Sequence, residues 1–133
     1  MYQYFFKEIA EHHIKIENCQ ISESSCNVSI AKGKSLIIDI TPKGMNAAKP
    51  MDINVYFEGI EADEVRIHFE GVEIDHNLPD YHFDKIKQDH YRAKGFISLC
   101  TLRSMHWFAN LLVRSDGVLW KISFPFETHR VVR

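Results

Sequence analysis

Apolar and polar residues alternate along most of the chain in short runs rich in β-branched and aromatic side chains. A strand with one buried face requires this period of two, because successive side chains of an extended backbone leave opposite sides of the sheet. The clearest run is Glu64–Glu70, where Val65, Ile67 and Phe69 share one side and Arg66, His68 and Glu70 the other. Comparable runs cover residues 12–22, 26–30, 35–41, 52–57, 82–87, 91–100, 107–114 and 118–128. The first three predict consecutive antiparallel strands. Ser115-Asp-Gly117 predicts a tight hairpin, since Asp-Gly accepts the positive φ angles that such reversals need.

Two stretches break the alternation. Residues 42–50 hold two prolines, a glycine and two alanines and predict a connection; residues 71–80, with Asp75, His76, Asn77 and Pro79, predict an irregular loop. Long loops on a rigid scaffold are where binding groups gather. Short strands at even spacing, with no helical period between them, predict an all-β fold: one immunoglobulin-like antiparallel β-sandwich over residues 12–129 with Greek-key connections. Residues 1–11 are expected to form a flexible or short helical segment.

A length of 133 residues suits one domain with one core. Net charge is −2, so the basic surplus that binds phosphates is missing and nucleic acid is not an expected partner. No run reaches the ~18–20 apolar residues of a membrane span, and the first ten residues lack the features of a signal peptide. The chain is therefore expected to be soluble as it stands, with any membrane connection made through an anchor outside it. Eight histidines are unusual, but their scattered settings predict surface positions on strands.

Candidate chemistry is sparse. There is no Gly-x-Ser-x-Gly elbow, no triad spacing and no glycine-rich phosphate loop, so an enzyme is not expected. Cys19 and Cys26 flank the first predicted turn and could bridge across it in an oxidising compartment. Burial of all three cysteines as small apolar side chains, or pairing of either with Cys100, remains an alternative. Cys100, Met105 and His106 bring thiol, thioether and imidazole within seven residues. Soft sulfur with imidazole suits copper, and His76 from the irregular loop could complete a set of His76, Cys100, Met105 and His106 if the two segments meet at one end of the sandwich. Asp75, His82, Met45 and Met51 are further residues that could converge there.

Several short motifs carry a resemblance: Cys19, Ser24-Ser-Cys26, Leu36-Ile-Ile-Asp-Ile-Thr-Pro42, Lys49-Pro-Met51, Phe69-Glu-Gly-Val-Glu73, Leu99-Cys100, Met105-x-Trp107 and Phe124-Pro-Phe126. Across most of residues 17–128 the chain resembles a family of small bacterial proteins with an N-terminal membrane anchor and an extracytoplasmic domain. Members of that family accompany copper-delivery proteins of cytochrome oxidase assembly. The resemblance implies a periplasmic, membrane-anchored accessory domain that handles copper or contacts a protein partner, with Cys26, Cys100 and Met105 at matching positions. It departs at Ile74-Asp-His76, where the family shows Met-x-Met, so imidazole would replace one thioether. A structural or protein-interaction sandwich without metal is the alternative.

Overall fold

The structure, a computed structural model, describes residues 10–44, 50–72, 80–96 and 104–129. Among the described residues, ten strands form two sheets. β1 (Ala10–Lys15), β5 (Glu64–Gly71), β6 (Tyr81–His82), β9 (Ser104–Ser115) and β10 (Val118–His129) make one, in the order β1-β10-β9-β5-β6. The other runs β2-β3-β4-β8-β7 and contains β2 (Cys26–Ala31), β3 (Lys34–Thr41), β4 (Pro50–Glu58), β7 (Asp84–Lys87) and β8 (His90–Phe96).

The pairing is that of an immunoglobulin-like sandwich. β3-β4-β8-β7 repeats the A-B-E-D order of one sheet, and β5-β9-β10 the C-F-G order of the other. The chain changes sheet between β1 and β2, between β4 and β5, between β6 and β7 and between β8 and β9, so each half contributes to both layers. The core lies between them. It is built from the inward sides of the alternating strands: Ile38 and Ile53 from one sheet, and Ile67, Leu111 and Phe124 from the other, are 0% exposed. The hairpin between β9 and β10 turns on Asp116 (φ 55°) and Gly117 (φ 74°), the left-handed pair expected of Asp-Gly.

Three expectations are corrected. Ala10 and Glu11 belong to β1 rather than to a loose N-terminal segment, and residues 1–9 lie outside the described residues. Residues 12–22 are not the first of three antiparallel strands, because β1 runs parallel to β10 in the sheet opposite β2. The last link to β10 is Ile16 N–H to the Ser123 carbonyl (2.9 Å); Ile21, 0% exposed, then belongs to a turn that packs into the core. Residues 82–87 are not one strand either. β6 pairs with β5 and β7 with β8, and the buried Phe83 marks the point where the chain changes sheet, its N–H on the Val65 carbonyl (3.0 Å).

The end of the sandwich where β4 crosses to β5 is closely packed. Gly59 (φ +76°) sits so near the β2–β3 turn that a Cβ would come within 2.0 Å of the Gly33 carbonyl oxygen, so glycine is required there on two grounds. Tyr91 pins the same crossover by donating its hydroxyl to the Ala62 carbonyl (2.9 Å). Burial, and secondarily the Asp63 carboxylate, raise the Tyr91 pKa above its usual 10.0. A raised folded-state pKa means the native protein holds this proton more tightly than the unfolded chain. Its contribution is therefore present below about pH 10 and lost as pH rises through the folded value. Urea midpoints above pH 10 are expected to fall more steeply for the wild type than for Tyr91→Phe; parallel curves would refute this.

Candidate functional site

β5 ends and β9 begins at the same end of the sandwich, with Gly71 opposite Trp107 and the Val72 N–H on the His106 carbonyl (2.9 Å). The described flanks of the two predicted chemical segments are thus neighbours. Beneath them lies an aromatic cluster: Trp107 is stacked on Phe126 (6.3 Å, 10° between planes), and Phe126 meets Phe69 edge-on (6.1 Å). Trp107 Nε1 donates to Thr128 Oγ1 at 2.9 Å, which satisfies both buried polar groups.

On the outer side of this end is a cleft of about 410 Å³. Its apolar wall is the Phe108–Pro125 ridge, Val72 closes one side, and Gln20 enters from the segment between β1 and β2. That segment is tied down by a disulfide between Cys19 and Cys26 (Cα–Cα 6.0 Å). The bridge does not span a hairpin, because Cys26 opens β2 while Cys19 precedes the turn that carries the chain from one sheet to the other. His106 faces the cleft mouth opposite Glu127, with Nε2 and Oε2 3.8 Å apart.

The proposed ligand set is only partly visible. His76 and Cys100 lie outside the described residues, as do Met45 and Asp75. Met105 is placed by its backbone on β9, opposite Thr128, and its side chain is outside the description. Met51 is 2% exposed and packs in the core. His82 is also remote from His106: it pairs with Arg66, which stands opposite Leu112, six residues along β9 from His106 and so roughly 20 Å away. Among the described residues, no three His, Cys, Asp or Glu side chains come together to hold a metal.

The same sheet carries a polar network on its outer face that spacing in the sequence did not reveal. His13 Nε2 lies 2.9 Å from Ser123 Oγ, Ser123 Oγ 2.6 Å from Asn110 Oδ1, and Asn110 Nδ2 3.2 Å from Glu70 Oε1. The carboxylate sets the direction of the whole chain. Glu70 can only accept, so the Asn110 amide nitrogen faces it; Ser123 then donates to the Asn110 oxygen, and His13 Nε2–H donates to Ser123. In this arrangement the serine proton points away from the imidazole, the reverse of what an activated nucleophile needs. Further along the face, Asp80 accepts from Arg66 (2.6 Å) and pairs with His68 Nδ1 (2.8 Å).

No helix among the described residues is long and apolar enough to cross a membrane. Comparison of the chain with protein-family models, with curated proteins and with solved structures finds no match.

Proposed function

We propose that this protein is a non-catalytic binding module of an oxidising, extracytoplasmic compartment that engages a protein partner through the cleft at the disulfide end of the sandwich. The observation that carries this reading is the cleft itself. It is walled by Phe108 and Pro125, bordered by an exposed Val72 (54%), and flanked by a segment that a disulfide holds in place. Disulfides persist in oxidising spaces, and a held segment beside an apolar cleft lowers the ordering cost of binding. The reversed hydrogen-bond direction at Ser123 supports a non-catalytic role.

A photo-crosslinking side chain at Val72 tests the docking. One discrete adduct is expected in cells, lost when Pro125 is replaced by glutamate, and not formed from a control probe at the exposed Ile86 on β7. Identical adduct patterns from positions 72 and 86 would overturn the reading. The proposed link to copper makes a separate claim: one equivalent of Cu(I) added to the protein should shift the His106 ring resonances. Unchanged spectra would remove copper from the proposal and leave the partner.

A further inference from the structure

The outer face of the β1-β10-β9-β5-β6 sheet carries a groove across its strands. Ser123 on β10 and Asn110 on β9 are directly opposed, and Asn110 opposes His68 on β5. Both Ser123 and Asn110 are 3% exposed, although they belong to the outward side of their strands. Being short, they form a sunken polar floor between taller rows, with Lys121 and Leu112 on one side and Phe108 on the other. The hollows over this floor measure about 220 Å³ toward β1 and about 250 Å³ toward β5.

Charge is divided along the groove. Lys15, Lys121 and His13 stand on the β1–β10 side, and neither lysine has an ion-pair partner among the described residues. Glu70 stands on the β5 side and, among the described residues, accepts only from Asn110. Asp80 is already taken by Arg66 and His68, which leaves Glu70 as the available negative pole among the described residues lining the groove. A simple anion would meet Glu70 and a simple cation the lysines. A molecule carrying both charges satisfies both poles.

We propose that this groove binds a small zwitterion, a molecule with a free carboxylate and a free ammonium group, of the class of amino acids and dipeptides. The carboxylate lies toward Lys15 and Lys121, the ammonium toward Glu70, and an apolar side chain rests on Phe108. β10 and β5 are two strand spacings apart, about 10 Å, and the flexible lysine and glutamate side chains shorten that gap to the length of such a ligand. The floor is fixed in advance, because the chain from His13 to Glu70 locks the Ser123 and Asn110 rotamers, so little ordering is left to binding. The site is separate from the partner cleft, on the opposite side of the Phe108–Pro125 ridge.

Alanyl-phenylalanine titrated into the intact protein and followed by amide NMR tests this. Saturable shifts are expected at Lys15, Asn110, Lys121 and Ser123, with Val72 unmoved. Acetylating the peptide's amino end or amidating its carboxyl end should each weaken binding about tenfold, the loss of one charge-assisted hydrogen bond. Glu70→Gln keeps the acceptor for Asn110 but removes the charge, and should abolish the preference for a free amino end alone. Lys15→Met with Lys121→Met should abolish the preference for a free carboxylate alone. Absence of saturable shifts up to concentrations on the order of 10 mM, equal binding of capped and uncapped peptides, or shifts centred on Val72 would overturn the proposal.

Discussion

Replacing Trp107 with alanine is expected to destabilise the domain by about 4–5 kcal/mol, since deleting a buried tryptophan leaves a large cavity and here also strands a hydroxyl. Trp107 is 1% exposed, stacks on Phe126, and satisfies the Thr128 hydroxyl, which is itself 4% exposed. Two further variants separate the contributions. Trp107→Phe retains most of the ring area but strands the Thr128 hydroxyl, and should cost about 1–2 kcal/mol more than the double variant Trp107→Phe with Thr128→Val, which removes both members of the pair. Urea denaturation with fitted midpoints and slopes measures all three. A loss below about 2 kcal/mol for Trp107→Ala would show that the aromatic cluster does not hold the two sheets together at this end.

The second large effect is expected at the disulfide. Cys19 and Cys26 are seven residues apart in sequence, and closing a loop that short removes unfolded-state entropy equivalent to about 2.5 kcal/mol. Replacing both by serine should therefore lower the melting temperature by roughly 10 °C. The bridge also holds Ile21, 0% exposed, in the core, so the variant should lose additional stability if that turn loosens. Adding a thiol reductant to the wild type should reproduce the shift and leave the double serine variant unmoved. A wild-type melting temperature insensitive to reductant would contradict both the bond and the oxidising compartment inferred from it.

Local pattern made much of the scaffold legible. β5 alternates in burial over Val65, Ile67 and Phe69 as its sequence does, and the Asp116–Gly117 turn follows from backbone sterics at two residues. Pairing was less legible. Ile14 and Ile16 fit a strand in either sheet, and nothing within residues 12–22 states that the partner is β10, parallel and more than a hundred residues away. Phe83 sits within an alternating run, yet marks a change of sheet that only tertiary packing imposes. Function was the least legible. Asn110 interrupts an apolar run on β9 and Ser123 an apolar run on β10; each alone resembles an outward polar position of a half-buried strand. Their meaning lies in being opposed, with His13 and Glu70 beyond them. Spacing arguments detect ligands that are close in sequence, such as Cys100, Met105 and His106, and are blind to groups assembled across four strands.

The parallel docking of β1 has a consequence for the order of assembly. His13 and Ser123 are separated by 110 positions, whereas β9 and β10 are joined by a two-residue turn. Loop-closure entropy makes the hairpin an early structure and the β1 contact a late one, so folding should reach a stage in which the other strands are in place and this edge is still bare. At that stage the outer strand of the hairpin offers a full row of unpaired main-chain groups. The same slot could accept β1 from a neighbouring molecule, which makes exchange of this single strand the expected route by which the protein would form dimers at high concentration.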